Sequence, residues 1–302
     1  MNDSGLLDRG IVRVAGADAL AFLDNLVTND LMGIADKEAL FAALLTPQGK
    51  ILFDFFVVRN GDVFLLDVAR DKTADLAKRL GLYKLRAKVE IADCSGGGYR
   101  VLALWDETRK DPGPPGSVSY ADPRSRHLGW RIALRMPGLP EDARALDTAS
   151  VPQANDAYHA RRVTLGVPEG GRDFPYGDTF PHEANMDRLN GVSFAKGCFI
   201  GQEVVARMQH KTVVRKRVVP VTVAAPLATG AEITVGEAVI GTVGSVAGNR
   251  GLAMVRLDRV VEALDNGQPV QAGGQPVTVD AQALQLFRDE TARKAIEKAA
   301  RI

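Results

Sequence analysis

The stretch that decides the fold is "ALFAALLTPQGKILFDFFVVRNGDVFLLDV", at residues 39–68. It contains three apolar runs rich in Val, Phe and Leu, which are separated by Gln48-Gly49 and by Asn60-Gly61. Short connections of this kind are typical of turns between antiparallel strands, and Asn-Gly is the stronger of the two signals. The stretch therefore predicts three strands joined by two turns.

The segments that follow predict a helix and a second group of strands. "DKTADLAKRLGLYKL", at 71–85, predicts an amphipathic helix that begins at Asp71 and places Leu76 and Leu80 on one face. From about Val213 onwards, short β-type runs with glycine at the breaks predict a small barrel. The charge pattern of the last segment is typical of an exposed helix.

Size, charge and cysteine content limit the class of protein. A chain of 302 residues predicts two or three domains, and a net charge of +1 argues against a nucleic-acid partner recognised by bulk electrostatics. No apolar run approaches the roughly 18 residues of a membrane helix, and the N-terminal residues lack a secretory pattern. The two cysteines lie far apart, unlike those of a disulfide scaffold. We therefore expect a cytoplasmic protein with free thiols, no membrane association and no direct nucleic-acid partner.

One of the two cysteines, Cys198, lies in "SFAKGCFIGQEVVARMQHK", at 193–211. The preceding "NGVSF" predicts a strand that ends near Phe194, and "FIGQEVVARMQ" predicts a helix with one apolar face. Lys196, Gly197 and Cys198 would then occupy the strand-to-helix turn, where Gly197 can take a positive φ.

Opposing charges are expected to act on this thiol. The helix N-terminus and Lys196 favour the thiolate, whereas Glu203, one turn further on, disfavours it. Arg207 follows Glu203 by four residues and lies on the same face. The two form either a surface ion pair or an anchored carboxylate that meets a ligand.

Cys198 admits three roles on the residues alone. It is a small buried hydrophobe, a hydrolytic nucleophile, or a single ligand of a metal cluster. The histidines that could serve a nucleophile as a base are His127, His159, His182 and His210. A complete metal or cluster site normally needs four ligands, so a cluster at Cys198 would be shared with a molecule that brings the other thiolates. The strand–turn–helix setting favours a functional role over a buried one.

The segment "KGCFIGQE", at 196–203, resembles the signature of the YgfZ-type, folate-binding members of the glycine-cleavage T-protein superfamily. That signature is K-G-C-aromatic-x-G-Q-E, and each of its fixed positions is matched. "VAGADALAFLDNLVTND" (14–30), "LTPQGKILFDFFV" (45–57) and "LGVPEGGRDF" followed by "PHEANMD" are similar to other stretches of the family. The resemblance covers essentially the whole chain.

The resemblance implies an α+β fold, a three-domain ring of the T-protein type. A discontinuous folate-binding domain would comprise residues 1–47 and 141–212 and would carry the cysteine motif. A ferredoxin-like domain would be inserted at 48–140. Residues 213–302 would form a C-terminal β-barrel with a terminal helix.

The resemblance also implies a function. Tetrahydrofolate or a one-carbon derivative would be the cofactor, and iron–sulfur scaffold or client proteins would be partners. Members of the family support the assembly or repair of iron–sulfur proteins, including enzymes that modify transfer RNA. On this basis we expect a tetrahydrofolate-binding accessory factor that uses Cys198 toward a partner or a shared cluster.

The resemblance implies specific site residues. Cys198 and Glu203 would act in the reaction. Asp75 would be a third catalytic residue, because the catalytic aspartate of the transferases falls near it in the sequence. The residues expected to hold the folate are Tyr158, Asn185, Asp187, Lys196, Gly197, Gly201, Gln202, Arg207 and Lys211. Tyr158 would stack on the pterin or be a half-buried helix residue, and Asn185 and Asp187 would bind the pterin edge or cap a turn. Arg207 and Lys211 would meet the glutamate tail or be solvated.

One departure from the transferases bears on activity. In the aminomethyltransferases, an acidic residue that holds the pterin lies two residues before the glycine that corresponds to Gly166. In this sequence the corresponding position is Thr164. The alternative function is a folate-dependent aminomethyl or one-carbon transferase in which Asp75 stabilises charge. Aminomethyl transfer to folate needs no thiol, so the cysteine motif favours the accessory factor and leaves enzymatic activity open.

Overall fold

The computed structural model describes residues 4–105, 113–136, 151–225 and 227–299, and they form two compact units. The first unit comprises Met1–Pro47, Ile51–Tyr158 and Leu189–Ile200, and the second comprises Gln48–Lys50, His159–Arg188 and Gly201–Ile302. The domain boundaries implied by the resemblance stay a prediction, and the boundary at 140/141 lies outside the described residues.

A five-stranded antiparallel sheet organises the first unit. Its strands are β2 (Arg9–Ala15), β3 (Ala39–Leu45), β4 (Ile51–Asn60), β5 (Val63–Ala69) and β6 (Glu90–Asp93), in the order β3-β4-β5-β2-β6. The prediction of three strands over 39–68 is confirmed. Gly49 (φ +81°) and Gly61 (φ +61°) both take the left-handed backbone conformation that such turns require.

Two helices cover one face of this sheet and close its core. They are α1 (Ala19–Asp24) and α2 (Thr73–Lys84), and Leu76 and Leu80 of α2 are fully buried as predicted. α2 begins at Thr73 rather than at Asp71, because a short 3₁₀ turn at Arg70–Lys72 precedes it. The hydroxyl of Thr73 donates to the carbonyl oxygen of Arg70 at 2.9 Å and closes that turn.

A second antiparallel sheet completes the first unit. It contains β1 (Ser4–Leu7), β7 (Tyr99–Leu104), β8 (Val118–Ala121) and β9 (Trp130–Arg135), in the order β1-β7-β9-β8. Helix α3 (Val151–Thr164) follows, and the boundary between the two units falls within it, after Tyr158.

The second unit contains the barrel that the sequence predicted. Its six strands are β10 (Lys216–Val223), β11 (Glu232–Val235), β12 (Ala238–Ala247), β13 (Arg250–Arg256), β14 (Val270–Ala272) and β15 (Gln275–Val279). They close in the order β10-β13-β12-β11-β14-β15, with antiparallel pairing throughout. Helices α5 (Leu257–Asp265) and α6 (Ala281–Ala299) pack on the barrel core, and the predicted C-terminal helix is confirmed.

The predicted strand that ends near Phe194 is wrong. Residues 191–199 contain no strand, because their backbone bonds to one segment near residue 28 instead of to a neighbouring strand. The amide of Ser193 donates to the carbonyl of Thr28 at 2.9 Å, and the Thr28 hydroxyl donates to the carbonyl of Gly191 at 2.6 Å.

The helix of the cysteine motif starts later than predicted. α4 runs over Gln202–Lys211, and Gly201 precedes it with φ +79°. A residue in the left-handed conformation cannot continue an α-helix backward, so Cys198 stands outside the first helical turn. The positive φ expected at Gly197 is therefore found at Gly201. In the described part of the chain, no helix is both long enough and apolar enough to cross a membrane.

Candidate functional site

Cys198 lies on an exposed loop of the first unit and forms no disulfide. Gly197 beside it is also exposed, whereas Lys196 and Phe199 on either side are buried. The loop is therefore fixed at two points, and the residues between them face solvent. This exposure contradicts the interpretation of Cys198 as a small buried hydrophobe.

Lys196 anchors the loop through its ammonium group. The Nζ atom donates to the carbonyl oxygens of Asp24 at 2.6 Å, Val27 at 3.0 Å and Asn29 at 2.7 Å. The Asp24 carboxylate lies 3.3 Å away, and Lys196 is only 8% exposed. An ammonium has three protons, so these acceptors occupy all of its donors. Lys196 thus holds the cysteine loop against the turn that follows α1.

The pKa of Lys196 reflects this environment. Burial disfavours the charged ammonium and lowers its pKa, and Asp24 opposes the shift only in part. The sequence predicted that Lys196 would favour the thiolate of Cys198. In the structure its hydrogen-bond donors point at backbone carbonyls, so its clearest role is to position the loop.

Further contacts hold the two flanks of the loop. Before the loop, the Asn29 amide donates to the carbonyl of Asn190 at 2.7 Å. After it, Ile200 packs against the core of the five-stranded sheet. These contacts on both flanks lie within the first unit, as Cys198 does.

The motif residues after Ile200 belong to the second unit. Glu203, Arg207 and Lys211 are exposed on α4, whereas Val205 and Met208 form its buried face. Gln202, the first residue of α4, is half-buried. The structure thus brings Glu203, Arg207 and Lys211 onto exposed positions of one helix, and their roles toward a ligand stay predictions.

The turn at Gly49 contacts the first turn of α4. A Cβ atom on Gly49 would lie 2.9 Å from the Cβ atom of Val204, and the φ of Gly49 is +81°. Both the space and the backbone conformation therefore require glycine. The next residue, Lys50, places its ammonium 3.6 Å from the ring centroid of Phe180. Sequence reasoning treated this glycine as a turn residue and missed its contact with the motif helix.

Asn185 and Asp187 are joined to the barrel through Arg217. The Arg217 guanidinium donates to both carboxylate oxygens of Asp187, at 2.9 Å and 2.8 Å, and is only 2% exposed. The Asn185 side-chain amide donates to the carbonyl of Val218 at 2.6 Å, and Asn185 itself has φ +58°. These contacts support the interpretation of both residues as parts of a turn, and a role at the pterin edge stays a prediction.

Tyr158 is buried rather than half-buried, with an exposed fraction of 3%. Its hydroxyl oxygen accepts hydrogen bonds from Arg124 at 2.8 Å and from Arg131 at 3.0 Å. Its ring centroid lies 6.4 Å from that of Trp105. The stacking of Tyr158 on a pterin stays a prediction.

Tyr158 belongs to a buried set of charged and phenolic side chains that no sequence motif indicated. We call this set the Asp67 cluster, and its members are Arg9, Asp67, Tyr120, Asp122, Arg124, Arg131 and Tyr158. The fully buried Asp67 accepts from Arg9 Nε at 2.6 Å, Arg131 Nε at 2.8 Å and the Tyr120 hydroxyl at 2.6 Å. Three guanidinium groups thus face two carboxylates, a formal excess of one positive charge.

Charge pairing dominates the pKa values in the Asp67 cluster. Burial alone would raise the pKa of Asp67, but Arg131 and Arg9 outweigh burial and lower it. Burial would likewise lower the pKa of Arg131, but Asp67 and its other partners raise it well above the usual range. Asp67 and Arg131 are therefore both charged at physiological pH, whereas burial raises the pKa of Tyr120 and keeps its phenol protonated.

Two of the histidines considered as bases have local partners in the second unit. Nδ1 of His159 accepts from Arg162 Nε at 2.8 Å and lies 3.3 Å from the carboxylate of Glu169. Burial lowers the pKa of His159 to about 4, although Glu169 opposes the shift. His182 has its Nε2 atom 3.0 Å from Gln209 Oε1, and burial lowers its pKa as well. Both imidazoles are therefore predominantly neutral at pH 7.

The two positions that bear on the transferase alternative are both exposed. Asp75 lies on the first turn of α2 in the first unit. Thr164 is the last residue of α3, and its hydroxyl donates to the carbonyl of Ala160 at 2.9 Å. Neither position adds a buried carboxylate of the kind that would hold a pterin.

Comparison with known protein families and structures identifies relatives over most of the chain. Residues 215–284 match the family model of the CAF17 C-terminal β-barrel domain. The fold resembles the crystal structure of the glycine cleavage system aminomethyltransferase T from Bartonella henselae. The TM-score is 0.73 at 18% identity, and 93% of this chain and 86% of that chain are covered. The predicted α+β fold class of the T-protein type, with its C-terminal barrel, is confirmed.

Curated relatives are named as mitochondrial iron–sulfur cluster assembly factors IBA57. The protein from Homo sapiens is 32% identical, with 89% of this chain and 82% of that protein covered. The protein from Mus musculus is 34% identical, with 83% and 76% covered. The homologue from Mycosarcoma maydis is 36% identical over 71% of this chain, which spans only 55% of that protein.

These relatives correct one prediction and sharpen another. The cytoplasmic location predicted from the sequence is wrong, since the relatives named above are mitochondrial proteins. The T-protein type of fold is confirmed, the relatives are named IBA57, and the assignment to the YgfZ-type proteins stays a prediction. Because the similarity to the human protein covers more than four-fifths of both chains, this chain belongs to the IBA57 family of iron–sulfur cluster assembly factors.

Proposed function

We propose that this protein is an accessory factor for the assembly or repair of iron–sulfur proteins, and that it acts through the thiol of Cys198. The observation that carries the proposal is the position of this thiol, exposed between the buried residues Lys196 and Phe199. The names of the relatives support the iron–sulfur part of the proposal. Its partners are scaffold or client proteins that carry clusters.

The chemistry of a single thiolate sets how Cys198 acts. In the proposed action the thiol would lose its proton to solvent, and the thiolate sulfur would bond one iron atom of a cluster that the partner presents, in place of a water or another exchangeable ligand that leaves this iron. Protein-bound clusters are generally held by four ligands, so the partner supplies the remaining thiolates. Among the residues that the structure describes, no group of three or more His, Cys, Asp or Glu side chains is arranged to hold a metal ion. The cluster is therefore cargo shared between two proteins.

Complementation tests the role of the thiol. Cells that lack the endogenous factor are given wild type, Cys198→Ser or Cys94→Ser, and the activity of a four-iron enzyme is measured. We expect Cys198→Ser to lose the rescue and Cys94→Ser to retain it, because Cys94 is half-buried and burial raises its pKa. Full rescue by Cys198→Ser would contradict the proposal.

The same cells test the transferase alternative. The likeness to an aminomethyltransferase structure shows the fold alone, and Asp75 is an exposed helix residue. If Asp75→Asn abolishes the rescue while Cys198→Ser does not, the protein acts as a folate-dependent one-carbon transferase and not as an accessory factor.

We further propose that the protein binds tetrahydrofolate or a one-carbon derivative, as the YgfZ-type signature implies. The exposed cations Arg207 and Lys211 suit the carboxylates of a glutamate tail. The stacking of Tyr158 on the pterin is part of the proposal. The polar atoms of Asn185 and Asp187 already bond to the protein, so these bonds would have to exchange before either residue met the pterin edge. No step of the proposed action therefore runs through the folate.

Calorimetric titration with tetrahydrofolate tests this binding. We expect Arg207→Ala to weaken the affinity by about tenfold, the loss of one charge-assisted contact. Arg259→Ala, an exposed arginine on α5, is the control and should leave the affinity unchanged. An absence of heat with wild type would contradict the folate proposal and leave the role of Cys198 intact.

A further inference from the structure

A groove of about 900 Å³ lies in the second unit, where the end of α4, the segment 212–215 and α6 meet. Apolar side chains form part of its lining, among them Met208 and Val214, which are buried, and Val213, which is half-buried. A groove of this size accommodates a short peptide segment or a drug-sized molecule. Lys211 is the one residue of this lining that is also proposed to bind the glutamate tail of folate.

The edge of the groove carries three cations that have no close ionic partner among the residues that the structure describes, although Glu183 attracts Lys216 and Asp258 attracts Arg215 at longer range. Lys211 and Arg215 are exposed, and Lys216 is half-buried. Within the described part of the chain, none of these three side chains has an ion pair or a hydrogen bond. Three cations along one edge favour a negatively charged ligand.

The remaining charged groups of the groove are engaged in holding it together. Lys294 of α6 donates to the carbonyl oxygens of Met208, at 3.2 Å, and Thr212, and it lies 3.3 Å from Glu290. The carboxylate of Glu183 accepts from the amide of Phe180 at 2.9 Å. Lys294 therefore fastens α6 to the end of α4, and the shape of the groove is set before a ligand arrives.

We propose that this groove docks an acidic, partly apolar segment of a partner protein. Carboxylates of the segment would meet Lys211 and Arg215, and one apolar side chain would cover Met208 and Val213. A nucleic acid is a poorer occupant, because every residue of its backbone carries a charge and would meet Glu183 and Glu297, which also line the groove. A peptide can place its carboxylates at the cations and uncharged side chains beside the two glutamates. The docking surface lies on the second unit and does not depend on the role of Cys198.

Fluorescence anisotropy with the full chain tests the proposal. The probe is a labelled peptide of about 12 residues that carries Glu at alternate positions and two Leu side chains. We expect binding that weakens between about 50 and 200 mM salt, and a loss of about tenfold in Lys211→Glu/Arg215→Glu. Lys78→Glu/Arg79→Glu, on the exposed face of α2, is the matched control and should bind as wild type does.

Two further probes separate the alternatives. A peptide with Ser in place of Leu should bind more weakly, and Val213→Ala should reduce that difference without changing the near-UV circular dichroism. Equal binding by Lys211→Glu/Arg215→Glu and wild type would overturn the proposal. So would tighter binding of a single-stranded RNA of about 20 nucleotides, or displacement of the peptide by tetrahydrofolate. Cys198→Ser should bind the peptide as wild type does. A failure of peptide binding can therefore be distinguished from a failure of the proposed role of the Cys198 thiol.

Discussion

Two buried cations of the first unit are held in opposite ways. Lys196 is surrounded by backbone carbonyls of Asp24, Val27 and Asn29, and burial lowers its pKa. Arg131 meets the carboxylate of Asp67, and pairing raises its pKa well above the usual range. Carbonyl dipoles satisfy the donors of a cation but do not neutralise its charge, whereas a carboxylate does both.

Because of this difference, the surroundings of Lys196 and the Asp67 cluster are expected to tolerate different substitutions. The acceptors around Lys196 are main-chain atoms, so they persist when the side chains that carry them are replaced. The Asp67 cluster consists of side chains, and the loss of any one leaves a buried partner without its counter-charge or without a hydrogen bond. The cysteine loop is therefore expected to tolerate substitution at its partners, and the cluster is not.

The largest effect is expected from Asp67→Asn. This change leaves Arg9 and Arg131 buried beside a neutral amide, and the free energy of unfolding should fall by about 3–5 kcal/mol. Urea denaturation followed by circular dichroism measures the loss. Asp71→Asn, at an exposed position, is the control. A loss below about 1 kcal/mol would show that the cluster is no more sensitive than a surface pair.

A smaller effect is expected from Lys196→Met, which should cost about 1–3 kcal/mol by leaving carbonyl groups without a donor. Hydrogen exchange should speed up at Ser193, whose amide bonds to Thr28. Asp24→Asn is the matched variant, because it keeps the main-chain carbonyl and should change both readouts only slightly. If Asp24→Asn is as damaging as Lys196→Met, the carboxylate rather than the carbonyls holds the lysine.

His159 offers an intermediate case, since it lies between the cation Arg162 and the carboxylate of Glu169. Its pKa is lowered from 6.5 to about 4, so the unfolded chain binds more protons between these values. Stability should therefore fall as the pH falls through this window, by about 1.4 kcal/mol for each pH unit. Denaturation midpoints for His159→Gln should lack this slope, and an unchanged slope would assign it to another group.

The smallest effect is expected at alkaline pH. Because the pKa of Lys196 is lowered below 10.5, the folded state releases its proton first. Stability should rise with pH in the window between the folded value and 10.5, in the direction opposite to ordinary alkaline denaturation. The difference between wild type and Lys196→Met, followed by thermal melting, isolates this contribution. A difference that does not vary with pH would mean that the lysine titrates normally.

The strands and the barrel were predictable because their signals are local. Short apolar runs that are separated by Gln-Gly, Asn-Gly or Gly-rich connections, over 39–68 and after Val213, indicate strands without reference to the rest of the chain. The motif itself was also visible in the sequence. The predicted strand near Phe194 failed because the backbone at Gly191 and Ser193 bonds to Thr28 rather than to a neighbouring strand.

The sequence by itself determined the strand-rich fold, the family resemblance and the identity of the single motif cysteine, since all three depend on residue types at short spacing. Only the tertiary structure decided how Cys198 is displayed. Lys196 finds its acceptors at Asp24 and its neighbours, 172 positions away along the chain. Asp67 likewise accepts hydrogen bonds from Arg9 and Arg131, which lie 58 and 64 positions away along the chain. Such contacts depend on which segments the fold brings together, and no local pattern encodes that.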